Sequence, residues 1–154
     1  MVTLENDLAL APRIVRAQDG DWTGFGPESV RWILTSAQTG GAFSMMEARI
    51  DAPHHGPPYH VHTLDDETFR VMEGSVVLVV DGVRHELNEG DVAFAPRNVP
   101  HRFETGPNGA RMLILSSGDN FERFLPRFHA AMSVGEMEML PIIAGEHGIS
   151  FLLE

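Results

Sequence analysis

Four side chains in this sequence have the types and spacing to share one metal ion. They are His60, His62 and Glu67, in the run GPPYHVHTLDDE, and His101 further along. Neutral imidazoles with a carboxylate suit borderline divalent ions such as Mn, Fe, Co, Ni, Cu or Zn. Four protein ligands on an octahedral ion leave about two positions for water, substrate or oxygen. Such an ion polarises a bound oxygen and lowers the pKa of a bound hydroxyl. A purely structural ion is a weaker reading, since structural zinc sites usually use cysteine and the chain has none.

The local sequence indicates how these residues are held. Pro57 and Pro58 disfavour helix at His60, so the His-x-His pair is expected on an extended segment. Side chains on a strand repeat every two residues, which puts His60 and His62 on one face. Glu67 lies an odd number of residues beyond His62, so Leu64-Asp65-Asp66 must turn or bulge to return its carboxylate to that face. By the same parity Phe69 and Val71 follow Glu67, and Phe103 follows His101. These three, with Met46, are the candidate substrate-pocket residues.

These motifs resemble those of the cupin superfamily. Its first motif reads roughly Gly-x5-His-x-His-x3–4-Glu-x6-Gly, and here His60-x-His62-x4-Glu67-x6-Gly74 matches from the first histidine onward. His54 stands where the leading glycine is expected, with Gly56 two residues later. The second motif reads roughly Gly-x5-Pro-x-Gly-x2-His-x3-Asn, and the chain has Gly90, Pro96, Asn98, His101 and Thr105 at those positions. Asn98 replaces a glycine but tolerates left-handed backbone. Thr105 replaces the final asparagine, which is not a ligand position.

The resemblance implies an all-β fold, a double-stranded β-helix (jelly-roll) barrel with short C-terminal helices. It also implies one divalent transition ion held by His60, His62, Glu67 and His101. Within the superfamily the sequence is similar to the small quercetin 2,3-dioxygenase-like proteins. That likeness implies a metal-dependent dioxygenase acting with O2 on a flavonol-like or other enolic small molecule, and a homodimer. Glu67 would then also accept the substrate hydroxyl proton as the catalytic base. A cyclase or isomerase of polyketide-tailoring type would use the same ion without oxygen. A non-catalytic small-molecule-binding cupin is the third class.

The elements needed to position the site are legible as short strands between turn signals. Val30–Ser36 and Ala42–Asp51 flank Thr39-Gly40-Gly41, with Ser44, Met46, Ala48 and Ile50 facing inward. Glu67–Met72 and Ser75–Val80 are expected as separate strands about Glu73-Gly74. Asp81-Gly82 is a strong hairpin signal joining Val76–Val80 to Val83–Leu87. Val92–Ala95 follows, and His101–Thr105 and Arg111–Ser116 are expected to pair across Gly106–Gly109. Phe121, Phe124, Leu125, Phe128 and Met132 fall at helical spacing, with Asp119 or Asn120 as N-cap and Pro126 predicting a kink or two short helices. This stripe is read as packing against the barrel wall. A second helix should end at His147, before Gly148.

The whole chain, 1–154, therefore reads as a single domain, with a barrel core over about 28–117 and a helical segment over about 118–148. The remaining polar candidates are read as structural. His54 and His55 belong to a solvated loop, Asp65 and Asp66 to a turn, His85 to the surface and His129 to a helix, while Tyr59 points away from His60.

Composition excludes several classes. The net charge is −11 over 154 residues, which disfavours nucleic acid or an anionic membrane as partner. No apolar run reaches membrane length. MVTLENDLAL lacks the basic start and apolar stretch of a signal peptide. With no cysteine, the composition is compatible with the cytoplasm.

Overall fold

Two long strands organise the molecule. The computed structural model describes residues 10–153; the signal-peptide expectation rests on a segment of which residues 1–9 lie outside them. The strands are β1 (Thr23–Phe25), β2 (Glu28–Leu34), β3 (Phe43–Ile50), β4 (His60–His62), β5 (Glu67–Val80), β6 (Val83–Asn88), β7 (Val92–Ala95), β8 (His101–Ser117) and β9 (Ile149–Phe151). The helices are α1 (Asn120–Ser133) and α2 (Leu140–Glu146). β5 and β8 pair antiparallel from Glu67 opposite Ser116 to Val80 opposite His101. The first half of β5 takes β7 on its other side and the second half takes β6. The end of β8 takes β3, while its start takes β4. One face is thus β1-β2-β3-β8-β5-β7 and the other is β9-β4-β8-β5-β6, with β5 and β8 common to both. This is the jelly roll.

The shared strands bend from one face to the other where separate strands were expected. Glu73-Gly74 and Gly106–Gly109 do not reverse the chain; β5 and β8 run through them with shifts of register. A Cβ on Gly74 would lie 2.2 Å from the Gly109 carbonyl oxygen, so the two strands touch here through bare backbone. The irregularity also changes parity. Glu67, Phe69 and Val71 are buried before it, and Val76 and Leu78 after it. Asp81 and Gly82, both at positive φ, make the expected hairpin turn between β5 and β6.

Met46, Ala48 and Ile50 from β3 face inward as expected and join Phe69, Val71, Leu78 and Met112 in the main core. A second apolar cluster joins α1, α2 and β9 through Phe124, Ile143, Ala144 and Ile149. β1 and β9 lie outside the span expected for the barrel. Three-residue strands carry no readable period; β9 is extended because its backbone pairs with β4, His60 opposite Phe151 and His62 opposite Ile149. α1 is one helix with Pro126 inside it rather than two. Asp119 occupies the N-cap without a side-chain cap bond, and Asn120 is buried and engaged elsewhere. α2 ends at Glu146, one residue before the expected His147, which is its C-cap; Gly148 follows at φ 67°.

Candidate metal centre

β4, β5 and β8 bring His60, His62, Glu67 and His101 together. One ligand atom from each lies within 4.8 Å of all the others, and all four residues are buried. His60 is level with His101 because β4 pairs with the start of β8 at that point. Between His62 and Glu67 the chain leaves strand geometry over Thr63–Asp66, which returns Glu67 to the histidine face. Asp66 ties this connection down. Its backbone N–H donates to Ser117 Oγ at 2.9 Å, and its carboxylate takes Arg97 Nη2–H at 2.7 Å. Hydrogen bonds from Arg97 hold Asp66 at about 2. Asn98, at φ 66°, adopts the left-handed backbone that asparagine tolerates, and its N–H donates to the His62 carbonyl at 2.7 Å.

The histidine tautomers follow from their partners. A carbonyl only accepts, so His60 Nδ1–H donates to Pro58 at 2.7 Å and His101 Nδ1–H to Val99 at 3.2 Å. Each is left with an Nε2 lone pair. His101 Nε2 lies 2.9 Å from Glu67 Oε2, and His62 Nε2 lies 3.4 Å from the same oxygen. A lone pair and a carboxylate repel at such a distance unless a cation, a proton or a metal ion, is shared between them. Both ring nitrogens of His62 are buried without a hydrogen-bond partner. This donor set and the orphaned nitrogen fit a divalent transition ion.

The charges point the same way. Burial, then repulsion from His101 and His62, lowers His60 to about 4, which keeps it neutral and able to ligate at neutral pH. Burial alone would raise Glu67, but the field of His62, the close His101 Nε2 and the fields of His101 and His60 overcome it and hold the carboxyl at about 2. Burial also opposes charge on His62, yet Glu67 and Asp65 outweigh it and raise its pKa.

Asp65 corrects the sequence reading of a simple turn residue. It is buried, and its Oδ2 lies 3.5 Å from His62 Nδ1. Asn120 donates to that same oxygen at 2.7 Å and to the His147 carbonyl at 2.7 Å, while His147 Nδ1 meets Asn120 Oδ1 at 3.0 Å. The missed part of the site is thus this chain from His62 to α1 and the end of α2. The short spacing Asp65-x-Glu67 beside the histidines was its one sequence signal.

A cavity of about 270 Å³ opens onto the four ligands, at the small end of the range for small-molecule sites. Met46, Phe69 and Phe103 line it; Val71 is buried in the main core and does not. The α1 stripe is not confined to wall packing either: Phe121, Phe124, Leu125, Phe128 and Met132 all border the cavity. His54 also borders it, contrary to the solvated loop expected there, whereas His55 is exposed. His85 is exposed, and Tyr59 turns outward to accept from the Gly82 N–H at 2.9 Å. His129 stacks on Phe25 with ring centroids 4.1 Å apart and borders the cavity as well.

Comparison with known proteins agrees with this architecture. Residues 49–116, which lie within the jelly roll described above, match the family model of the cupin domain. A quercetin 2,3-dioxygenase of Bacillus subtilis is 26% identical over 66% of this chain and 30% of its own. The dimethylsulfoniopropionate lyase DddW of Ruegeria pomeroyi is 33% identical over 51% of each chain. The solved polyketide cyclase RemF of Streptomyces resistomycificus is similar with a TM-score of 0.58 and 26% identity, covering 70% of this chain and 80% of that one. The chain spans between 30% and 62% of the length of the curated relatives it matches. Among the described residues no helix is long and apolar enough to cross a membrane.

Proposed function

We propose that this protein is a metal-dependent cupin dioxygenase acting on a flavonol-like or other enolic aromatic small molecule. The observation that carries the reading is a largely apolar cavity, phenylalanine-rich in part, opening onto three histidines and a carboxylate. When bound, a divalent ion of the Mn-to-Zn series would polarise the substrate oxygen. His60, His62, Glu67 and His101 would hold it. Phe69 and Phe103 supply faces for a planar ligand, and with Met46 they exclude water from the reacting end. Glu67 is the proposed base. Its Oε1 meets Ser116 Oγ only at 3.4 Å, which leaves that oxygen able to take a proton from a substrate hydroxyl.

The test combines metal analysis with an oxygen electrode. The wild type should carry about one divalent transition ion per chain, and His60→Ala/His62→Ala should lose most of it. A flavonol turned over by the loaded protein should consume O2. At restored metal occupancy, Glu67→Gln should turn over about 10²–10⁴-fold more slowly. Near-normal turnover by that variant would leave Glu67 as a ligand only. Conversion of an enolic substrate under strict anaerobiosis would favour the second reading, a cyclase or isomerase, which the 26% identity to a polyketide cyclase supports.

A further inference from the structure

Two departures from the cupin motifs meet in space. His54, in place of the leading glycine, and Thr105, in place of the final asparagine, are clamped together. The His54 N–H donates to Thr105 Oγ1 at 3.2 Å, and the Thr105 N–H donates to the His54 carbonyl at 3.0 Å. The clamp is four residues along β8 from His101, or about 13 Å at the usual strand rise. Gly56 closes the loop beneath it, since a Cβ there would lie 1.9 Å from the Phe103 carbonyl oxygen.

This loop fixes the His54 ring. The Gly56 N–H donates to His54 Nδ1 at 2.8 Å, so that nitrogen carries a lone pair and Nε2 carries the proton. Nε2 faces Glu28 Oε1 at 3.3 Å. Both side chains are less than a fifth exposed, at 18% and 19%, and both border the cavity. Among the described residues the Glu28 carboxylate has no other side-chain partner, so it keeps oxygen lone pairs for a ligand. Burial raises Glu28, and burial with repulsion from His55 lowers His54, so both shifts weaken the pair as a fixed ion pair.

We propose that His54 and Glu28 form a second polar site in the cavity, independent of the metal, that binds a hydroxyl of an otherwise apolar, planar ligand. Glu28 accepts the hydroxyl proton in a hydrogen bond, and His54 Nε2–H serves either the ligand oxygen or Glu28. The substrate class is thereby narrowed to molecules polar at both ends, one end for the ion and one for this pair. The inference rests on the reading that the cavity takes a small molecule, but not on its being turned over.

The test uses phenol and toluene as probes of the metal-free wild type, Glu28→Leu and His54→Phe, with binding followed by ligand-observed NMR. The ratio of toluene Kd to phenol Kd should fall about fivefold or more in each variant, the size expected for one lost hydrogen bond. A merely structural role would weaken both probes alike and leave the ratio unchanged. In the wild type, phenol protons should also show an Overhauser effect to His54 Hε1, which requires no variant to fold. An unchanged ratio, a missing Overhauser effect, or no saturable phenol binding overturns the proposal. Failure to find oxygen uptake with any flavonol bears on the dioxygenase reading alone.

Discussion

At the scale of single residues, Asn120 shows how a side chain outside the four candidate ligands can govern their geometry. Its amide spans the Asp65 carboxylate and the His147 carbonyl, each at 2.7 Å. Asp65 in turn sits beside His62, so the orientation of that ring is set partly from α1. Carboxylates behind ligating histidines fix the tautomer and raise the basicity of the metal-facing nitrogen, and their loss typically costs about 10–100-fold in metal affinity. Asn120→Ala leaves Asp65 buried without its donor. We expect metal affinity to drop within that range in a chelator-competition titration, with helical circular dichroism retained. Undiminished affinity would mean that β4 alone orients His62.

At the scale of elements, the bend in β5 and β8 decides whether the candidate metal ligands meet. His101 lies at the start of β8 and Glu67 at the start of β5, at opposite ends of the antiparallel pair. They come together only because both strands fold over at Gly74 and Gly106–Gly109. Gly74 combines positive φ with a carbonyl 2.2 Å from any added Cβ, whereas Gly82 has positive φ and open space. Gly82→Ala should therefore cost about 1–2 kcal/mol from backbone strain alone. Gly74→Ala adds overpacking of about 1–3 kcal/mol. Urea unfolding of the two variants checks the difference, and equal costs would show that the strands part at the bend without penalty.

At the scale of the whole molecule, an ion network with a buried Arg31–Glu47 centre braces the outer part of the first sheet. Arg31 reaches across from β2 to Glu47 on β3 at 2.6 Å and also donates to the Ala17 and Asp19 carbonyls, fastening the segment before β1. Arg111 on β8 meets the same carboxylate and extends to Glu73 at 2.5 Å. Burial would raise Glu47, but hydrogen bonds from Arg111 and Arg31 and their charges overcome it and lower its pKa below the ordinary 4.5. A depressed folded pKa contributes stability that is present above the unfolded value and lost as pH falls through the folded one. The wild type should thus weaken as pH drops below about 4.5. Glu47→Gln should lose about 3–5 kcal/mol at neutral pH, because Arg31 stays buried without its counter-charge, and show a flatter acid limb. Denaturant titrations across pH measure both effects.

The sequence by itself determined the short strands and the Asp81-Gly82 hairpin through local rules, and the four candidate ligands through their match to the cupin motifs. Alternation places His60 with His62, and the odd offset of Glu67 demands the irregular Thr63–Asp66 stretch that is observed. Glycine signals were ambiguous: Gly74 and Gly106–Gly109 announce unusual backbone but not whether the chain reverses, which depends on the partner strand. Helical spacing likewise announces that one face of α1 is covered, not that this face borders a cavity. Tertiary structure alone decided that His54 enters the cavity, that Asp65 is buried behind His62, and that Ile149–Phe151 is a strand. Each rests on a partner distant in sequence, Thr105, Asn120 and β4 respectively, and no local period encodes such a meeting.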